Sequence, residues 1–188
     1  DEMLNPVQRY EIYLDEAINN RVIANIAPSL ELTEGLLYKL NLGVDYSVTN
    51  RDVHTSPFAL LEGLEDGSLS NSYFKNSNTL VENTLTYNVD TDIHSVNVLA
   101  GHSYQEFFLE ARTINMEGFS NNGIQPRYQD QTSTQINPTN KFASAEKNKL
   151  QSFFGRVNYS YESKYLVTAT MRADGSSKFG ENNRYGYF

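Results

Sequence analysis

At 188 residues, with 39% hydrophobic and 12% aromatic side chains, the chain has the size of one ordinary domain or two small ones. A formal net charge of −8 repels phosphate backbones and speaks against nucleic acid as a partner. The absence of cysteine excludes disulfides and thiolate metal sites, and leaves the redox compartment open.

Tyr and Phe supply every aromatic, and Thr, Ser and Asn are abundant, which is the chemistry of strands and turns. The opening "DEMLNPVQRY" carries no Met start, no basic region and no apolar core, so the expectation is a processed signal or sequence upstream. No stretch approaches the roughly 20 apolar residues of a membrane-spanning helix. Barrel strands are shorter and only half apolar, so a membrane is not excluded.

The first period-two run places Val22, Ala24, Ile26, Pro28, Leu30 and Leu32 opposite Arg21, Asn25, Ser29 and Glu31. Pro28 is its flaw, because proline cannot donate to a ladder. Thr33-Glu34-Gly35 predicts a three-residue hairpin loop with Gly35 at positive φ. Pairing Leu32 with Leu36 then keeps one face apolar through Leu36, Tyr38, Leu40, Leu42, Val44, Tyr46 and Val48, with Lys39, Asn41, Gly43, Asp45 and Ser47 on the other. A second unit alternates at Val81, Leu85, Tyr87 and Val89. It turns at Thr91-Asp92 and continues at Val96, Val98, Ala100 and Tyr104. The third alternates at Phe153, Gly155, Val157, Tyr159 and Tyr161, turns at Glu162-Ser163-Lys164, and returns through Tyr165, Val167, Ala169, Met171 and Ala173.

Between these hairpins run two long polar links, about Thr49 to Ser77 and about Thr113 to Glu146, rich in Asn, Ser, Gln and Gly. Structureless links of that length are uncommon in compact soluble domains. Short turns at one end of the sheet, long links at the other, and strands past ten residues predict an all-β, antiparallel transmembrane barrel wall. A soluble β-sandwich that binds carbohydrate or serves adhesion is the alternative.

Candidate chemistry is sparse. His54, His94 and His102 lie too far apart for a local ligand pair, so no metal site is expected. The carboxylates Glu62, Glu65 and Asp66 fall in a Gly-bearing loop and read as a solvated turn, with a weak calcium site second. "GFSNNG" and "ADGSS" lack the spacing and following helix of a phosphate loop. No enzyme and no cofactor are predicted. Tyr159, Tyr161 and Tyr165 flank a tight turn on the apolar face, as an interfacial girdle does. Tyr73 and Phe74 fall in the first long link, Phe107 and Phe108 where the fourth strand is expected to leave the membrane, and Phe119 and Tyr128 in the second link. These six are the candidate ligand or partner contacts, with loop pinning as the other role open to them.

The closing stretch "LQSFFGRVNYSYESKYLVTATMRADGSSKFGENNRYGYF" resembles the SusC/RagA family of TonB-linked outer-membrane proteins. The resemblance rests on Phe154, Arg156, Asn158, Tyr159 and Tyr161, then on Arg172, Asp174, Gly175, Ser176, Ser177, Phe179, Gly180, Arg184, Tyr185, Gly186 and Phe188. "HSVNVLAGHSYQE" and "GLLYKLNLGVDYS" are similar to other barrel strands of that family. Phe188 is preceded at alternate positions by Gly186 and Arg184, which is not a membrane face, so the stretch reads as mid-barrel. The resemblance implies that residues 1–188 are an interior part of a receptor barrel, without a plug domain, and hold six or seven strands of a barrel of about 22. It implies a place in the outer membrane of a Bacteroidetes-type bacterium, in contact with its lipid. It further implies import of an oligosaccharide or peptide, a SusD-like surface lipoprotein as lid, and energy from TonB through a region N-terminal to this chain. A barrel with a purely structural or adhesive role is a further alternative.

Overall fold

The structure is a computed structural model, which describes residues 6–57, 66–120, 123–129, 137–180 and 184–188. A short helix, α1 (Pro6–Ile12), precedes strands β1 (Tyr13–Ile26), β2 (Ser29–Thr33), β3 (Leu36–Thr55) and β4 (Gly67–Asp90). Strands β5 (His94–Phe119), β6 (Asn137–Tyr161), β7 (Tyr165–Ser176) and β8 (Tyr185–Tyr187) follow, with one 3-10 turn at Pro126–Tyr128. The eight strands form one sheet in the order β1-β3-β4-β5-β6-β7-β8, with β2 also pairing β3. A sandwich requires two packed sheets, and the described residues form a single one.

Local chemistry explains each break in this meander. Pro28 divides what would be one strand into β1 and β2; its carbonyl still accepts a bond from Leu40 N–H at 3.0 Å. Gly35 has φ +75°, as the first loop requires. Thr33, not Leu32, lies opposite Leu36, because a bulge in β2 inserts one residue. Upstream of the bulge, Leu30 faces Tyr38, which keeps the apolar residues together. The second turn is displaced by one residue from the sequence expectation: Thr91 N–H donates to His94 O at 2.7 Å, leaving Asp92 and Ile93 in its centre. The third is as predicted, with Tyr161 opposite Tyr165 and Lys164 N–H donating to Tyr161 O at 2.9 Å.

All three turns lie at one end. Asn88 N–H donates to Gly35 O at 2.8 Å, and Glu162 N–H donates to Ile93 O at 2.8 Å, so backbone bonds link each turn to the next hairpin.

The strands are far longer than the apolar alternation suggested. β3 to β6 have 20, 24, 26 and 25 residues. The links expected at 49–77 and 113–146 therefore shrink to 56–66 and 120–136, and their flanks are strand. The polar flanks have no apolar face for a sequence pattern to report. Glu62 and Glu65 lie outside the described residues.

Contacts divide the chain into two units. One comprises Val22–Tyr46, Ser77–Phe108 and Lys147–Phe188, and contains the three tight turns. The other comprises Asp1–Arg21, Ser47–Asn76 and Leu109–Glu146, and contains the roots of both links.

In the turn-bearing unit the usual order of inside and outside is inverted. Leu42, Val44, Tyr46, Leu85, Tyr87, Phe153, Val157 and Met171 are all exposed, Met171 at 71%. Their polar neighbours Asn41, Asp45, Thr84, Thr86, Asn97 and Asn158 are half-buried. The polar face is joined across strands: Asn97 Nδ2 donates to Asn88 Oδ1 at 2.5 Å, Asn158 Nδ2 to Asn97 Oδ1 at 3.1 Å, and Thr168 Oγ1 to Asn158 Oδ1 at 3.0 Å. One polar residue, Asn83, interrupts the apolar face of β4, and it accepts a bond from Tyr38 Oη at 2.6 Å. A row of large apolar side chains facing outward is stable only against an apolar solvent.

The closing motif folds as the β7–β8 hairpin, adding an eighth strand to the six or seven expected. Arg172 and Phe188 exchange both backbone bonds, at 2.9 and 2.8 Å. Gly175 sits directly opposite Tyr185, and a Cβ on Gly175 would meet the Tyr185 ring at 2.7 Å. The glycine and the tyrosine of the motif are thus one contact, an aromatic ring laid over a bare backbone. Tyr185 and Tyr187 lie opposite Gly175 and Ala173, so β8 contributes tyrosines to the apolar face, with Gly186 between them on the other.

Candidate functional site

The roots of the two links meet in a small core. Phe119, at the end of β5, and His54, near the end of β3, are each 2% exposed, and Pro126 of the 3-10 turn is fully buried beside no solvent. A Cβ on Gly67 would approach Pro57 Cδ at 2.8 Å and Phe119 Cβ at 3.0 Å, so the start of β4 is held hard against both. Ile12 and Phe119 are the buried hydrophobic residues among the described ones. Ser56 N–H donates to Ile12 O at 2.7 Å, which ties α1 to the end of β3.

Charged pairs surround this core. Arg51 grips Asp15 with two bonds, Nε to Oδ1 at 2.8 Å and a terminal nitrogen to Oδ2 at 2.5 Å. The Arg51 guanidinium holds the Asp15 carboxyl below its ordinary value. Arg127 forms an ion pair with Glu16 and lies 4.8 Å from the centre of the Tyr128 ring. Arg112 lies 4.3 Å from the centre of the Tyr73 ring, Asn71 Nδ2 donates to Asp52 Oδ1 at 2.6 Å, and Ser72 and Thr113 share a hydroxyl bond at 3.0 Å. Burial pushes the His54 imidazole down, and nearby Arg127 adds to this while Asp52 and Glu16 oppose it. Its Nδ1 is buried without a hydrogen-bond partner among the described residues.

The six candidate aromatics are distributed over β4, β5 and the second link. Tyr73 and Phe74 are in β4, not in a link, and as neighbours in a strand they face opposite ways. Tyr73 is half-buried under Arg112, and Phe74 is exposed. Phe107 and Phe108 fall inside β5, which continues past them to Phe119. Both are half-buried, and they belong to the turn-bearing unit. Phe119 is a core residue of the link roots and has no surface to offer a ligand. Tyr128, at 68% exposed, is the one of the six presented on a link. Sequence reasoning missed Arg51, Arg112 and Arg127, and weighed His54 only as a metal ligand. The partners of the three arginines, Asp15, Tyr73 and Glu16, lie on other strands, and no spacing along the chain reveals them.

At the turn end the expected girdle is assembled, with an added member. His94 Nδ1 lies 2.8 Å from Tyr159 Oη, the His94 ring is 5.4 Å from Tyr161, and Tyr161 is 6.4 Å from Tyr165. Lys164 sits 5.8 Å from the Tyr165 ring centre. Among the described residues no cluster of three or more His, Cys, Asp or Glu could hold a metal ion.

No family model matches the chain. It is 34% identical over 190 residues to TonB-dependent receptor P3 of Formosa agariphila, covering 100% of this chain and 18% of that receptor. It is 26% identical over 198 residues to TonB-dependent receptor SusC of Bacteroides thetaiotaomicron, covering 98% of this chain and 18% of SusC. The chain thus spans about a fifth of the length of these relatives. Its fold matches solved structures of RagAB, described as a peptide transporter, with a TM-score of 0.84 over 94% of this chain at 20% identity. An 'open-open' form of the RagAB peptide importer matches with a TM-score of 0.86 over 99% of this chain and 20% of that one, at 21% identity. The inverted sheet, the tight-turn grammar and the relatives agree: along its whole length this chain matches TonB-dependent receptors, SusC among them.

Proposed function

We propose that residues 1–188 form part of the barrel wall of an outer-membrane importer. The plug and the TonB-contacting segment would be supplied by other parts of that receptor. Its substrate class is a nutrient too large for porins, an oligosaccharide or a peptide, taken up beneath a SusD-like lipoprotein lid with energy from TonB. The observation that carries the reading is the inverted sheet: exposed Leu42, Leu85, Val157 and Met171 against a half-buried, hydrogen-bonded polar face. Such a surface is matched to a lipid exterior and a hydrated interior. The names of the relatives support import, and the RagAB title supports a peptide as one member of the substrate class.

The test begins with fractionation of cells that express the receptor, followed by electrophoresis with and without heating. Outer-membrane location and heat-modifiable migration are expected. Uptake of labelled oligosaccharides and peptides is then compared with and without TonB, and the lipoprotein is sought by co-purification. A receptor found in the aqueous fraction, or uptake that is indifferent to TonB, rejects the reading.

A further inference from the structure

Along the apolar face, side-chain character changes sharply at one level. On β6 and β7 the register pairs Tyr159 with Val167, Val157 with Ala169, Gly155 with Met171 and Phe153 with Ala173, all on one face. The next pair on that face is Gln151 with Gly175. There the face turns polar: Gln151 Nε2 lies 3.0 Å from His102 Nε2, whose ring rests 4.8 Å from Phe153. One step further along β5 and β6 come Tyr104 and Lys149, then Glu106 and Lys147, with a Lys147–Glu106 ion pair at 2.6 Å.

This level is where a membrane boundary should fall. Eleven residues separate Tyr161, in the turn-end girdle, from Leu150, opposite Ser176. At about 3.3 Å per residue and a tilt of about 40°, they rise about 28 Å, close to the roughly 25 Å apolar band of an outer-membrane barrel.

At this boundary the structure holds a pocket of about 190 Å³, lined by Tyr104, Lys149, Gln151, Ser177, Arg184 and Tyr185. It is a built pocket. Tyr185 Oη donates to Gln151 Oε1 at 3.2 Å, Ser177 N–H donates to Lys149 O at 2.9 Å, and Lys149 N–H donates to Ser177 Oγ at 2.8 Å. Two lysines share the single carboxylate of Glu106. Lys147 takes it at 2.6 Å, leaving Lys149 at 4.0 Å and about half exposed. The pocket thus places the Lys149 and Arg184 cations and the Ser177 hydroxyl at the rim of an apolar surface, in a chain of net charge −8, while the Tyr185 and Tyr104 hydroxyls donate to Gln151 and Glu106.

We propose that this pocket binds the phosphate of an anionic lipid headgroup in the leaflet opposite the tight turns. Lys149 and Arg184 supply charge, the Ser177 hydroxyl donates to the phosphate, the Tyr104 and Tyr185 rings wall the pocket, and the acyl chains lie along Phe153, Val157 and Met171. A soluble anion would have no use for the aliphatic strip that begins immediately beneath. The proposal rests on the membrane reading, and a receptor that never enters the outer membrane fails that reading before any lipid is scored.

The test is native mass spectrometry of the intact receptor, delipidated in dodecyl maltoside and titrated with dioleoyl phosphatidylglycerol. Retained phosphatidylglycerol is expected, with dioleoylglycerol, which has the same tails and no phosphate, retained at least about tenfold less. The double variant Lys149→Gln with Arg184→Gln should lose retention about tenfold, whereas Lys149→Arg and the polar-face variant Lys39→Gln should keep it. Heat-modifiable migration of each variant verifies a folded barrel. Equal retention of dioleoylglycerol, or no loss in the double variant, overturns the proposal. Displacement of the lipid by equimolar inorganic phosphate would identify a free-anion site and overturn it equally.

Discussion

At the scale of single residues, the tight turns carry the clearest conformational demands. Gly35 has φ +75°, and a Cβ there would lie 2.4 Å from the Asn88 carbonyl oxygen. Gly35→Ala meets both obstacles at once, and should lower stability by about 1–2 kcal/mol or more. The third turn places Glu162 at φ 50° and Ser163 at φ 53°, left-handed values held by residues that gain nothing from them. An Asn-Gly pair suits that geometry. The double change Glu162→Asn with Ser163→Gly should therefore raise stability by about 1 kcal/mol. Urea unfolding of the receptor in lipid vesicles measures both, and opposite signs are expected. Equal effects of the two variants would mean that the turns do not control stability.

At the scale of elements, the link roots depend on the packing of β3, β4 and β5 ends with the 3-10 turn. Phe119→Ala opens a void in that packing and should cost about 3–5 kcal/mol of local stability. Tyr128→Ala removes an exposed ring and should leave the fold untouched. Limited proteolysis within 120–136 separates the two, with faster cleavage expected only for Phe119→Ala. His54 adds a pH dependence. Its folded-state value is depressed, so its contribution is complete above the unfolded value of about 6.5 and is lost as pH falls through the lower folded value. Proteolysis of the link roots should accelerate as pH falls below about 6.5, and His54→Gln should abolish the acceleration in that window. The Asp15–Arg51 pair follows the same sign at lower pH: its carboxyl is depressed, and its contribution is lost only below about pH 4. An unchanged pH profile in His54→Gln would assign the effect to other groups.

For the whole molecule, the sheet is a wall, and the links 56–66 and 120–136 join its long strands. Binding residues collect on loops held by a rigid scaffold. Shortening the second link, 120–136, in the intact receptor should impair growth on its substrate or association of the lipoprotein. Heat-modifiable migration should be retained. A folded deletion that still imports and still holds its lipoprotein would remove that link from the mechanism. The strand flanks 49–55, 67–77, 113–119 and 137–146 are strand rather than link, so deletions that reach into them should disrupt the sheet itself.

The sequence by itself determined the three hairpins, the face each side chain takes from Leu36 to Val48 and from Phe153 to Ala173, and the antiparallel barrel class. Period two is a local property, and lipid on one face imposes it on every spanning residue. It also carried the family, through a motif whose glycine and tyrosine prove to be a single contact at Gly175 and Tyr185. It did not show that β3 to β6 continue as strand through 49–55, 67–77, 113–119 and 137–146, because a polar sequence on both faces leaves no alternation to read. It could not show that Phe119 is core and Tyr128 surface, since both are aromatics in a polar region of the chain. Nor could it pair Arg51 with Asp15, or bring Lys149 and Arg184 to one pocket. Those partners are set by register between strands distant in the chain, and only the folded sheet decides which rows lie side by side.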